Sequence, residues 1–385
     1  MKRKVISAML IGATAVSLVA CGSSGSSSSS SSDSSTASSG SGSGRIGISM
    51  PTKSLERWNR DGAYLQKQFE DAGFDVVLTY SDNDEAKQVS DIQNTLAQDV
   101  DLLIVAAING ESLNTAMNEA ADADVPVIAY DRLILNDAVS YYVSFDNYTV
   151  GKLQGEYIED ALGLKDAADG DSYNLEITAG PTADNNAKYF LDGAMDVLQP
   201  YIDAGTLKVP SGQTEFEKVQ TDNWNTDTAL ERAQNILSSY YADGTQLDAW
   251  LCSNDATALG IAKALESDYK GKNTVVITGQ DGDEANLQNI VDGKQSMTVY
   301  KNVSNESIVT LELAKAILAG DTIDESLIDS FGVEATYDTE SYETSDGHTC
   351  PSFLLVPNVI TKDNLEDLVD TGLYEWDGDY LKATN

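Results

Sequence analysis

The chain has 385 residues, with 24 Lys+Arg against 62 Asp+Glu and one histidine, for a formal charge of −38. That balance excludes a nucleic-acid partner, which needs a basic footprint, and a basic surface held on anionic lipid. The single histidine, His348, excludes His-rich metal sites, and the acidic excess makes a neutral polar small molecule an easier ligand than a phosphorylated one.

Residues 1–20 place Lys2, Arg3 and Lys4 ahead of a mostly apolar run, the pattern of a secretory signal and too short for an ordinary spanning helix. The run ends Leu18-Val19-Ala20-Cys21. Small residues before a Cys resemble a lipobox, in which Cys21 carries lipid and becomes the new N-terminus. Cleavage there removes three cations and no acids, taking −38 to −41. Of the 23 residues in 22–44, fifteen are Ser and five are Gly. Such a segment cannot bury apolar surface and is expected to be a flexible tether with a reach of roughly 25 Å. No later run is apolar enough to span a bilayer. Cys252 and Cys350 leave open a disulfide or two free thiols.

The remaining 341 residues, 45–385, exceed one ordinary core and predict two domains. Strands are expected over 45–50, 76–80, 102–107 and 125–130, with helices over 55–72, 84–98 and 112–123 between them. The alternation restarts after Phe145. Helices 150–162, 186–204, 226–241, 256–268 and 285–292 then alternate with strands 173–179, 207–213, 247–253, 274–280 and 297–300. A last helix, 303–319, leads into an irregular stretch, 321–349, an extended segment, 353–360, and an acidic tail. Apolar runs without alternation, separated by helices, indicate parallel sheets covered on both faces. The economical reading is an α/β chain of two doubly wound units.

Ligands of such sheets bind beyond the carboxyl ends of the strands. Those positions hold Met50-Pro51-Thr52-Lys53 with Arg57-Trp58, then Asp131-Arg132, Asp184-Asn185-Asn186, Trp224, Ser253-Asn254-Asp255, Gln280-Asp281 and Lys301. Taken singly, each has a plain alternative. Asp184 and Asn254 suit helix N-caps, Trp58 suits packing, Asp131-Arg132 suits a local ion pair, and Lys301 suits a solvated surface. Together they match the needs of a sugar: carboxylates and amides to accept from hydroxyls, cations to donate to oxygen, and aromatic plates for the C–H face. Enzyme signatures are poor. There is no Ser-based elbow, no phosphate-cradling glycine loop and no CxxC, and with so many carboxylates no glycosidase pair stands out.

The segments MPTKSLERW at 50–58, VIAYDRLI at 127–134, SFDN at 144–147, DNNAK at 184–188, KVQTDNW at 218–224, SNDATA at 253–258, GQD at 279–281 and TVYK at 298–301 carry a resemblance. The chain from 45 onward resembles the periplasmic sugar-binding proteins of the type I fold. Within that group it looks most like the D-xylose binders and the multiple-monosaccharide receptors.

The resemblance implies a non-enzymatic, monomeric solute-binding protein of an ABC-type sugar importer. Such a protein needs no cofactor or metal, hands an aldose to a membrane permease, and is anchored outside the cytoplasm by Cys21. Presentation of the sugar to a sensor kinase or chemoreceptor is the alternative. The implied lobes are 45–146 plus 302–355 and 147–301 plus 356–385, joined by three crossings.

Carried over by motif, Trp58 and Trp224 stack on the sugar. Asp131, Asn186, Asn254 and Asp281 bind hydroxyls, and Arg57, Arg132 and Lys301 donate. Lys53 is a weaker candidate. Pro51 and Thr52 stand where the xylose binders have acidic residues, and segment 336–350 looks longer than in the relatives.

Overall fold

The structure, a computed structural model, describes residues 44–344 and 347–384. The signal, Cys21 and the Ser/Gly tether therefore lie outside the described residues. The first part of the chain runs β1 (Arg45–Met50), α1 (Glu56–Asp71), β2 (Asp75–Tyr80), α2 (Glu85–Leu96), β3 (Leu102–Val105), α3 (Asn114–Asp122), β4 (Val127–Tyr130) and β5 (Val139–Phe145). The middle runs α4 (Asn147–Ala161), β6 (Tyr173–Thr178), α5 (Asn185–Ala204), β7 (Leu207–Lys208), α6 (Phe216–Val219), α7 (Thr226–Tyr240), β8 (Ala249–Cys252), α8 (Asp255–Asp268), β9 (Val276–Ile277), α9 (Glu284–Val291) and β10 (Met297–Tyr300). The end runs α10 (Val303–Ala319), β11 (Ala335–Asp338), β12 (Ser352–Leu355), β13 (Asn358–Thr361), α11 (Glu366–Asp370), β14 (Tyr374–Asp377) and β15 (Tyr380–Ala383).

Among the described residues the first sheet has the order β11-β12-β5-β4-β3-β1-β2. Every neighbouring pair is parallel except β11 with β12. Its central strands, Leu102–Val105 and Val127–Tyr130, are buried at every position. That burial is why they read as apolar runs rather than alternating ones. The second sheet has the parallel order β7-β6-β8-β9. A bridge between Gln280 and Val299 continues it to β10, which pairs antiparallel with β13. The chain thus passes from one sheet to the other between β5 and β6, between β10 and β11, and between β12 and β13.

Segment 353–360 is not one extended run. Ser352–Leu355 joins the first sheet beside β5, and Asn358–Thr361 joins the second beside β10. The switch falls at Val356-Pro357, where proline cannot donate to a ladder. The tail folds into the β14–β15 hairpin, whose Tyr374 and Leu381 share an apolar cluster with Leu368 of α11 and with Leu287 and Ile290 of α9. Cys252 lies in β8 and Cys350 beside β12, both buried and both free among the described residues. No helix among the described residues is long and apolar enough to cross a membrane.

Local sequence fixes what reaches the carboxyl ends of the strands. Asp146, Asp184, Asn225, Asn254 and Asn302 each accept a backbone N–H at the start of the following helix. Such caps satisfy orphan donors and pin the strand-to-helix turn. Helices α4 and α5 pack backbone to backbone. A side chain at Gly151 would overlap the Phe190 carbonyl, and one at Gly193 the Tyr148 carbonyl. This close approach sets the first turns of α5, with Asn186 and Phe190, at the mouth between the sheets.

Candidate functional site

The carboxyl ends of both sheets meet at one cavity. Its lining includes Arg57, Trp58, Asp131, Arg132, Asn186, Trp224, Asn254, Asp281 and Lys301. Arg57 and Trp58 come from the first turn of α1, and Asp131 and Arg132 follow β4. Asn186 opens α5, Trp224 precedes α7, and Asn254, Asp281 and Lys301 follow β8, β9 and β10. Lys53 is instead exposed, with its ammonium 4.6 Å above the Tyr80 ring, and neither Pro51 nor Thr52 lines the cavity.

The cations lie inside a cage of carboxylates. Arg57 pairs with Asp131 at 2.6 Å, Glu306 at 3.0 Å, Asp281 at 3.1 Å and Asp61 at 3.2 Å. Lys301 pairs with Asp131 at 3.0 Å and with Asp281 at 3.6 Å. Burial disfavours the Arg57 cation, but the surrounding carboxylates outweigh burial and hold its pKa well above the ordinary value. Burial pushes Asp131 up to about 7 against the pull of Arg57, and raises Asp281 and Glu306 as well. The charges therefore largely neutralise one another, which suits a neutral ligand with many hydroxyls better than an ion.

Arg132 reaches the other way. Its Nη1 donates to the Ala107 carbonyl, and its Nε lies 3.1 Å from Asp184 Oδ2. The same Asp184 oxygen accepts the Trp224 indole N–H at 3.0 Å, while Oδ1 caps α5. Asp184 is thus the helix cap that its position suggests and also the link between an arginine of one sheet and an indole of the other. The Arg132 guanidinium lies 4.9 Å from the Trp58 ring centre. Phe190, another lining residue, has its ring 6.2 Å from that of Trp224.

Three of these residues have left-handed backbone. The φ values are +57° at Asp131, +54° at Trp224 and +107° at Asp281. L-residues with side chains rarely adopt this region, and such strain persists where the surroundings over-determine it. A side chain at Gly180, just after β6, would overlap the Trp224 ring, so a glycine there lets the indole lie flat against the backbone.

Sequence reasoning misses Phe190 and Asp283, and it names Asp184 and Gln280 at strand ends without carrying them into the sugar-contacting set; all four line the cavity. Gln280 Nε2 donates to the Ser253 carbonyl, while its buried Oε1 has no partner among the described residues. An unpartnered buried acceptor is costly, and a ligand hydroxyl would satisfy it. The same reasoning misses the supports beneath the site. Tyr130 donates to Asp61 at 2.6 Å, and Tyr142 donates to the Asp131 carbonyl at 2.6 Å and to Asn186 Oδ1 at 3.1 Å. Asn186 Nδ2 donates to the same carbonyl at 2.6 Å, so both ends of this amide are engaged.

Two doubly wound sheets that turn their carboxyl ends onto one polar, aromatic-walled cleft define a two-lobed ligand-binding protein. The chain belongs to the family of periplasmic binding proteins: the family model described as a periplasmic binding protein domain matches residues 46–322. It is 40% identical to the multiple sugar-binding periplasmic receptor ChvE of Rhizobium radiobacter, over 87% of this chain and 92% of that one. It is 33% identical to the D-xylose-binding periplasmic protein of Escherichia coli K12, over 84% and 89%. A solute-binding protein of an ABC transporter from Clostridium phytofermentans, solved with bound beta-D-glucose, superimposes with a TM-score of 0.81 at 46% identity, over 86% of this chain and 99% of that one. The chain is accordingly a non-enzymatic, extracytoplasmic sugar-binding protein of ABC-type monosaccharide transport.

Proposed function

We propose that the protein captures an aldose in this cleft by closure of the two lobes and delivers it to a membrane permease, while Cys21 holds it at the membrane by lipid. One observation carries the reading. Nine residues from the strand ends of both sheets, combining three cations, carboxylates, amides and two indoles, line a single cavity. The cage around Arg57 and Lys301 presents adjacent donors and acceptors, so a sugar hydroxyl can give and take a hydrogen bond at one place. Trp58 and Trp224 cover the C–H faces. Asp281, Asn254 and Gln280 accept from hydroxyls, and Arg57, Arg132 and Lys301 donate.

The three chain crossings near Asp146, Lys301 and Val356 are the hinge, and the lobes are 45–146 plus 302–355 and 147–301 plus 356–385. Ligand binding shifts the hinge equilibrium by its differential affinity for the closed form. The protein acts as a monomer. A Kd of roughly 1 μM corresponds to about 8 kcal/mol. Likeness to a glucose-bound neighbour and to a xylose binder supports glucose and xylose as first candidates.

Titration calorimetry of the mature protein against glucose, xylose, galactose and arabinose tests the reading. At least one of these sugars should bind with a Kd of about 1 μM. Binding of none below millimolar concentration would overturn it. The anchor is tested separately by mass spectrometry of the N-terminal peptide, with unmodified Cys21 as the contrary result.

A further inference from the structure

Segment Asp338–Thr344 lies between β11 and β12, so it belongs to the first sheet by chain connection, yet it reaches the second. Its conformation is fixed locally. Asp338 accepts the backbone N–H of Glu340 and of Ser341, and its other oxygen accepts the Ser341 hydroxyl. The Tyr342 carbonyl accepts the Cys350 N–H at 2.8 Å, and the Thr344 hydroxyl donates to Asp137 at 2.8 Å.

This framework drives Tyr342 inward to 3% exposure. Its ring stands edge-on to Tyr142 of β5, with centroids 5.0 Å apart. On its other side it meets Tyr189 of α5, centroids 5.3 Å apart, and the Tyr189 hydroxyl donates to the Ser341 carbonyl at 3.4 Å. One ring thus bridges a strand of the first sheet and a helix of the second.

Both partners lead to the ligand cleft. Tyr142 carries the hydroxyl that donates to the Asp131 carbonyl and to Asn186 Oδ1. Tyr189 lies one turn along α5 from Asn186 itself. A ring wedged between them fixes the Tyr142 hydroxyl, and with it the Asn186 amide that ties the first turn of α5 to the Asp131 backbone.

We infer that Tyr342 is a positioning residue for the sugar site: the strap 338–344 inserts its ring between the lobes and slows their reopening around a bound sugar. The inference rests on the aldose-binding reading above. The stacked contacts form fully only when α5 and β5 are brought together, so the strap acts on the closed form. Its removal should therefore speed dissociation and leave association almost unchanged.

The test is stopped-flow or surface-resonance kinetics with D-glucose and D-xylose on the full mature chain. Tyr342→Ala is expected to raise koff about tenfold, as two aromatic contacts allow, with kon within about twofold. Tyr342→Phe keeps the ring and should restore slow dissociation. Tyr189→Ala, on the half-buried face of α5, should also raise koff. In the double variant the two effects should fall short of additive.

If Tyr342→Ala fails to fold, Tyr189→Ala decides alone. A wild-type koff in whichever variant decides, or an affinity loss split equally between slower kon and faster koff, would overturn the strap while the sugar-binding reading stands. If the wild type binds no aldose, that reading fails and the strap falls with it.

Discussion

Arg57 and Asp281, 224 positions apart in the chain, meet across the cleft at 3.1 Å and join the first turn of α1 to the loop after β9. Arg57 is buried, and Asp61, Asp131 and Glu306 surround the same guanidinium. Removing it strips the ion pair from buried Asp61 and Glu306 and leaves Asp131 and Asp281 to Lys301. Breaking a buried pair in this way costs about 3–5 kcal/mol. Arg57→Met should therefore lower the melting temperature as well as abolish sugar binding, and part of the stability should return at lower pH as the carboxylates protonate. Arg57→Lys should do less harm to stability but still weaken binding, because an ammonium cannot reproduce the planar fork. Melting curves read with and without sugar check both. Unchanged stability in Arg57→Met would show that the cage is not coupled to folding.

The same burial predicts an unusual dependence on pH. Burial holds Asp131 and Asp255 at about 7 in the folded protein, against an ordinary value of 3.8. The folded chain then binds more protons than the unfolded chain between about pH 4 and 7, so stability falls as pH rises through that window. Self-repulsion of a strongly acidic chain adds in the same direction. Ligand-free protein should melt at a higher temperature at about pH 5.5 than at about pH 7.5, and Asp131→Asn should shrink the difference. Scanning calorimetry at the two pH values measures this. A melting temperature that climbs from the lower to the higher pH would contradict it.

The second prediction depends on Asp255, which sequence reading passes over as part of a helix start, and this shows where legibility stops. Parallel strands buried on both faces, such as Leu102–Val105, announce themselves as apolar runs, and the residues just beyond them were readable as a cleft. Strand β5 was not. Its sequence VSYYVSF sets polar residues among aromatic ones, and one of its rings, Tyr142, serves both the neighbouring strap and the site rather than a uniform face. Strand β11 hides in a polar stretch because only its first residue is buried. Strands β7 and β9 shrink to two residues each, since the paired lengths are set by neighbours and not by local propensity. Within the cleft, residue types were legible but pairings were not. Nothing in the spacing tells that Asp184 would serve Arg132 and Trp224 together, or that Asp131 would turn its backbone to φ +57° to face Arg57.

Trp224 gives a prediction that acts through a residue with no side chain of its own. The indole lies against Gly180, holds φ +54°, and is fixed by its hydrogen bond to Asp184. Gly180→Ala would push the ring out of plane without removing any polar group. Affinity should fall about tenfold or more, which corresponds to about 1.4 kcal/mol, while the fold and its melting temperature change little. Trp224→Ala should lose more, since the plate itself is gone. Calorimetric titration of both variants with the sugar that binds wild type best is the check, and Gly180→Ala binding as well as wild type would remove the stacking role from Trp224.

Arg60, one turn beyond Arg57 on α1, touches the ligand cavity only through the loop it holds. Its Nη2 donates to the Asp281 carbonyl at 2.8 Å, and its Nη1 to the Gly282 carbonyl at 3.0 Å and the Tyr374 hydroxyl at 2.9 Å. It also pairs with Glu56 at 3.1 Å and Asp283 at 3.2 Å. The helix belongs to the first sheet and the loop to the second, so all of these bonds except the Glu56 pair, which lies within α1, form only while the lobes are together. They also hold the backbone of Asp281, whose φ of +107° needs such support. Arg60→Met should weaken sugar binding about tenfold through a faster koff. It should also raise the radius of gyration of the ligand-free protein as the open form gains population. Small-angle scattering beside the kinetics separates the two contributions. A variant with weaker binding but unchanged dimensions would mean that Arg60 shapes the Asp281 loop without biasing the hinge, and one with wild-type kinetics would remove it from both roles.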